Sequence, residues 1–124
     1  MKREILFRGK TKSGDWFFGD LEHIEGYIYV RAMRVIPETV GQYMGLKDKN
    51  GVKILEGDIV RDNFGNIGVI TYLEHFAEWR IRFYKGREDL LCELGVGISS
   101  WVYPKMMLEV IGNIHDNPEL LQAN

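Results

Sequence analysis

The chain has little cysteine, little proline, no long apolar run and no surplus of charge of one sign, and each shortage closes off an explanation. Cys92 is the one cysteine in 124 residues, so no disulfide can form within the chain, which fits a reducing cytoplasm. Three prolines and no low-complexity tract leave no linker of the Pro-rich kind. No apolar stretch approaches the roughly 18 residues that a membrane-spanning helix needs. The opening Met1-Lys2-Arg3-Glu4 then alternates in character, unlike a secretory signal. A cytoplasmic protein without a membrane partner is expected.

Charge is close to balanced. Sixteen Lys and Arg stand against eighteen Asp and Glu, a formal net charge of −2. Residues 1–62 carry 11 basic and 10 acidic side chains, a net +1, and residues 63–124 carry 5 and 8, a net −3. Neither half has the basic footprint of a protein that grips nucleic acid by its phosphates. Any such binding is expected to be weak and salt-sensitive.

Catalytic and metal-ligating patterns are also missing. His23, His75, His115 and Cys92 show no C-x₂-C or H-x₃-H spacing. Glu74 and His75 are neighbours, and adjacent residues on a strand point to opposite faces. Cys92 lies among Leu90, Leu91 and Leu94, the setting of a buried inert thiol rather than a nucleophile. Gly95-Val96-Gly97 lacks the third glycine and the following helix of a phosphate loop, and reads as a flexible loop. The expectation is a protein that is not an enzyme and takes no cofactor and no metal.

What the chain does have is turn chemistry, densest from Tyr43 to Arg61. Asn50-Gly51 is the favoured dipeptide of a two-residue hairpin turn, in which both central residues take positive φ. Val52, Ile54 and Leu55 follow as a short apolar strand, Glu56-Gly57-Asp58 turns again, and Ile59-Val60 starts another strand. Strand and turn alternating over about twenty residues make a meander or small barrel, not a helical unit.

The same stretch, YMGLKDKNGVKILEGDIVR, resembles the signature of the YopX family of phage and prophage proteins. The opening REILFRGKTKSGDW (Arg3 to Trp16) and the close EVIGNIHDNPELL (Glu109 to Leu121) resemble the family's two ends, in the family's order. Between Asn63 and Pro104 no family motif is recognised. The resemblance implies phage or prophage origin and carries over no catalytic residue, because no biochemical activity comes with it.

Taken in order, the chain predicts strands at Glu4 to Lys10, Trp16 to Phe18, Tyr27 to Arg31, Asp58 to Asp62, Ile67 to Leu73, Ala77 to Tyr84 and Met107 to His115. Turns fall at Thr11 to Asp15, Glu25-Gly26 and Asn63 to Asn66, and Gly19-Asp20 marks a bulge or early turn. Glu38 to Gln42 fits a short strand or one helical turn. In the Ala77 segment, Trp79, Ile81 and Phe83 face one way and Glu78, Arg80 and Arg82 the other. Asn117 and Pro118 have the residue types of an N-cap and a first helical position. The fold class is therefore all-β. A β-meander lobe is expected over 1–45, an SH3-like small barrel over 46–116, begun by Gly-Asp-Ile-Val and closed near Met107 to Ile114, and a short helical tail over 117–124. Together they would make one unit, with apolar residues at 45% and charged residues at 27%, ordinary proportions for a globular protein.

Two surfaces stand out as candidates for binding. Arg8, Lys10, Arg31 and Arg34 interleave with Trp16, Phe17, Phe18, Tyr27 and Tyr29, as on a platform for single-stranded nucleic acid. The alternative is a core of aromatics with a solvated cationic face, diluted by Asp15, Asp20, Glu22 and Glu25. Trp101, Tyr103, Met106 and Met107 form a bulky apolar cluster of the composition enriched at interface cores, or else a buried core segment. The sequence favours a non-enzymatic, self-associating interaction protein, most simply a homo-oligomer, with a host or phage protein as a further partner. A nucleic-acid-binding accessory protein of phage replication or regulation is the alternative.

Overall fold

The computed structural model describes residues 4–73, 78–85, 96–97 and 107–122. Strands and tight turns dominate it, and the eight strand pairings whose registers are described are all antiparallel. The all-β expectation holds. The chain divides into two units, Met1–Gly45 and Leu46–Asn124.

In the first unit, β1 (Phe7–Lys10) pairs with β2 (Trp16–Gly19), and β3 (Leu21–Ile24) with β4 (Tyr27–Val30), which in turn pairs with β5 (Met33–Arg34). A 3₁₀ turn at Pro37–Thr39 leads into β6 (Gly41–Lys47), which returns to β1 in the register Phe7 to Gln42 and Arg8 to Gly41. The ambiguous stretch from Glu38 to Gln42 is thus a helical turn followed by a strand start. Thr39 ties this corner down. Its hydroxyl accepts from the Lys10 amide at 2.8 Å and donates to the Ile36 carbonyl at 2.6 Å. The small core centres on Val30 and Val35. Gly9 makes room for it, because a Cβ there would lie 2.8 Å from the Val35 methyls.

In the second unit, β6 ends and turns into β7 (Lys53–Leu55). Then β8 (Asp58–Arg61), β9 (Ile67–Leu73), β10 (Glu78–Lys85), β11 (Val96–Gly97) and β12 (Glu109–Asn113) build one sheet in the order β11-β10-β9-β8-β12. Ile54, Ile59, Val60, Ile70, Ile81, Phe83 and Leu108 are almost wholly buried. Gly68 lies opposite Phe83, and a Cβ on it would come within 2.5 Å of Ile81 Cγ2 and 2.8 Å of the Arg82 carbonyl. Closure of this sheet into an SH3-like barrel is not among the pairings of the described residues.

Several local expectations need correction. Val96–Gly97 is not loop but a short strand on the edge of β10, with Ile81 opposite Val96 and Arg80 opposite Gly97. β3 has no apolar alternation to announce it, since three of its four residues are exposed. Its partner β4 creates it. Asn50-Gly51 is not a two-residue turn. Gly51 has φ of 83°, while Asn50 is absent from the residues with positive φ. The Asp48 amide donates to the Val52 carbonyl at 2.7 Å and the Gly51 amide to the Asp48 carbonyl at 3.0 Å. That is a three-residue loop, with one glycine in the left-handed region closing it.

The same five-residue device recurs at Thr11–Asp15 and Asp62–Asn66. In each, the first amide donates to the fifth carbonyl and the fourth amide, a glycine with φ of 93° or 88°, donates to the first carbonyl. The first residue's side-chain oxygen supports the loop from inside. Asp62 Oδ1 accepts from the Phe64 and Asn66 amides, both at 2.9 Å. The doubly left-handed turns that sequence assigned to Asn50-Gly51 occur elsewhere, at Glu25-Gly26 (φ 50° and 85°) and at Arg31-Ala32 (52° and 63°).

At the end of the chain, Asn117 occupies the N-cap position of a 3₁₀ turn, Pro118–Leu121, without capping it. Its Oδ1 accepts from the Asn113 amide at 3.2 Å instead. Gly112 leaves the space for it, since a Cβ there would stand 2.6 Å from that oxygen.

Candidate functional site

The four cations read as one surface occupy three places. In the β1–β2 ribbon, Arg8 lies opposite Phe18 and Lys10 opposite Trp16, while Gly9 lies opposite Phe17. Directly opposed residues share a face of the pleat. Arg8, Lys10, Trp16 and Phe18 therefore lie on one face, and Phe17 lies on the other with Gly9. Arg8 Cζ sits 5.0 Å from the Trp16 ring centroid and Lys10 Nζ 5.7 Å from it, so one indole carries two cations. Arg8 is buried, at 6% exposure.

Arg31 stands apart, on the turn between β4 and β5. Its amide donates to the Asp20 carbonyl at 3.0 Å, and its Cβ would be 3.1 Å from a Cβ on Gly19. Arg34 lies directly opposite Tyr29, and its Cζ rests 3.6 Å from the Tyr27 ring centroid.

Tyr27 and Arg34 help line a groove of about 670 Å³, contained in the first unit. The Thr11–Asp15 loop contributes Thr11, Lys12, Ser13 and Asp15 to the lining. Phe17, Ile28, Met33, Val35 and Ile36 supply apolar lining. The loop is internally tied. Thr11 Oγ1 and Ser13 Oγ lie 2.8 Å apart in a hydrogen bond, and Ser13 Oγ donates to Asp15 Oδ2 at 3.0 Å. Lys12 and Arg34 contribute positive charge to the lining and Asp15 negative charge. Arg34 and Tyr27 stand out in the sequence, but the groove does not. The only signal for it was the turn pattern Thr-x-x-Gly-Asp beside an aromatic strand.

Among the described residues, the second unit buries the carboxylates Asp48, Asp58 and Asp62. Asp48 Oδ1 accepts from the Asn50 and Val52 amides at 2.8 and 2.9 Å, and Oδ2 accepts from the Val110 amide at 2.9 Å. Burial pushes the Asp48 carboxyl up, but the three amides and the Lys49 charge outweigh it, and the acid is held below its ordinary value. Glu109 is also lowered, mainly by the hydrogen bond from Arg61 Nη2 at 2.9 Å. Among the described residues, no group of three His, Cys, Asp or Glu gathers as a metal cage, and no helix is long and apolar enough to cross a membrane. Of the apolar cluster, Met107 is exposed and has φ of 47°; Trp101, Tyr103 and Met106 lie outside the described residues, as do Glu74, His75 and Cys92.

Comparison with known proteins agrees with the architecture. A crystal structure of protein EF1440 from Enterococcus faecalis is similar over 98% of this chain and 100% of that one, at 22% identity and a TM-score of 0.54; at that identity the likeness is one of fold. No curated protein matches the chain. The family model described as YopX protein matches residues 4–122, nearly the whole length, and the chain belongs to the YopX family.

Proposed function

We propose that this chain is a non-enzymatic, self-associating interaction protein of a phage or prophage, at work in the host cytoplasm. The observation that carries the reading is the groove of the first unit. Its lining is mostly apolar, the Thr11 and Ser13 hydroxyls are tied to each other and Ser13 to the Asp15 carboxylate, and it carries exposed Tyr27 and Met33. Such a lining favours holding a partner over performing a reaction. Phage origin rests on the three blocks of family resemblance. Self-association rests on Met107, half exposed at the end of the Trp101–Met107 cluster.

Nucleic-acid binding is the second reading, favoured by the cation–aromatic pairs at Trp16 and Tyr27. Against it, one face of each ring is already taken by the protein's own cation, so stacking a base there would displace an Arg or Lys. The test is capture on immobilised protein from host lysate, with and without nuclease, beside sedimentation of the purified chain. Captured protein that survives nuclease, and a sedimenting species larger than one chain, is the expected result. Capture that vanishes with nuclease selects the second reading, and a monomer across the micromolar range removes self-association.

A further inference from the structure

We infer that the groove of the first unit is a receptor for a short acidic peptide segment, one or two apolar side chains lying in the trough and a carboxylate held between Arg34 and Lys12. This rests on the interaction reading above and names the partner's chemistry. The volume, about 670 Å³, suits a few residues of peptide and is within the usual range of ligand clefts. Its lining fits aliphatic or aromatic side chains.

The charge of the lining selects an anion. Lys12 and Arg34 outnumber Asp15, and the Asp15 carboxylate is engaged by Ser13. Among the described residues, Lys12 and Arg34 have no carboxylate partner. Arg34 is also pre-positioned. With its guanidinium carbon 3.6 Å from the Tyr27 centroid, the cation is braced against the ring while the N–H groups project in its own plane. A guanidinium so held offers two parallel donors to a carboxylate with little further loss of freedom. The aromatic face that a nucleobase would need is the face Arg34 covers, so the geometry favours a peptide over a single strand of nucleic acid.

The probe is a fluorescent peptide of sequence Asp-Leu-Phe-Asp-Leu with blocked ends, titrated against the full chain by anisotropy. Control peptides replace Asp with Lys, or Leu and Phe with Ala. An oligo-dT strand is the competitor. Saturable binding is expected for the acidic apolar peptide. It should weaken roughly tenfold or more for the Lys control and in Arg34→Glu, the worth of one charge-assisted contact, and several-fold in Lys12→Glu, whose site is an exposed loop position where charge reversal spares the fold. Thermal melts of both variants confirm folding. Rising salt should weaken binding. Equal binding of the Lys control, indifference to both variants, or displacement by oligo-dT at lower concentration than by unlabelled peptide would overturn the inference. If Arg34→Glu still captures the same lysate proteins as the wild type, the interaction reading stands and the groove is not its site. If neither peptide nor lysate protein is held by the wild type, both fall together.

Discussion

The two units are built from the same parts, short antiparallel strands joined by tight turns, yet they place their apolar residues differently. Leu46–Asn124 puts Ile54, Ile59, Val60, Ile70, Ile81, Phe83 and Leu108 almost completely out of water. Met1–Gly45 buries the smaller set Val30, Val35, Tyr43 and Met44 and exposes Ile5, Phe18, Ile24, Tyr27 and Met33, whereas the second unit's exposed apolar residues, Val52, Phe64, Tyr72, Tyr84 and Met107 among those described, lie outside that larger core. A five-stranded sheet has enough β-branched residues to fill one face. Sheets of three and four short strands do not make such a face, so their large side chains line grooves and surfaces instead. Among the described residues the second unit has the larger set of fully buried apolar side chains, and the first has the apolar-lined groove.

That contrast can be broken most severely at Phe83. Phe83→Ala empties the middle of the second unit's core, and unfolding in denaturant should show a loss of about 3–5 kcal/mol. A loss under about 1 kcal/mol would mean the sheet is not the stabilising core.

Next in size is Asp48, whose carboxylate serves three amides. Asp48→Asn leaves an amide group facing at least one donor, at a cost of about 2 kcal/mol near neutral pH. The sign of the pH effect is set by the lowered pKa of Asp48. Stability from Asp48 is fully present above the ordinary carboxyl value of 3.8 and is lost as the pH falls below it, through the depressed folded value. The gap between wild type and Asp48→Asn in thermal melts should therefore narrow on strong acidification. A gap that widens would contradict the hydrogen-bond pattern.

Gly51→Val gives a smaller effect by a cleaner mechanism. A Cβ at Gly51 meets nothing within 4 Å, so the whole penalty comes from a β-branched residue forced to φ of 83°, about 1–2 kcal/mol. An unchanged melting temperature would count against the loop geometry.

Smallest of all should be Met33→Ser in the first unit. Met33 is exposed, and its substitution should move stability by no more than about 0.5 kcal/mol while weakening partner binding several-fold. A marked destabilisation would place Met33 in a core and blur the contrast between the units.

Much of this architecture was legible in the residues. Ile67–Leu73 begins and ends where its β-branched content and the Asn63–Asn66 turn put it. Trp79, Ile81 and Phe83 alternate as read, with Ile81 and Phe83 buried. Local chemistry suffices there, because each signal lies within a few residues of its effect. The family could be recognised for the same reason, from three contiguous blocks. Other features carried no local signal. β3 and β11 exist through their partners, and Arg31-Ala32 takes a doubly left-handed turn without Gly or Asn because β4 and β5 pair on either side of it.

By itself, the sequence determined an all-β chain of short strands, where most of its turns fall, and its membership of the YopX family. The tertiary structure alone decided that Arg8 and Lys10 converge on Trp16 while Arg34 crosses to Tyr27, and that the Thr11–Asp15 loop and residues of β4 and β5 line one groove. The physical reason is the two-residue period of the pleat. A cluster of cations and aromatics in sequence is dealt alternately to opposite faces, and which face meets which strand depends on pairing register between segments far apart in the chain.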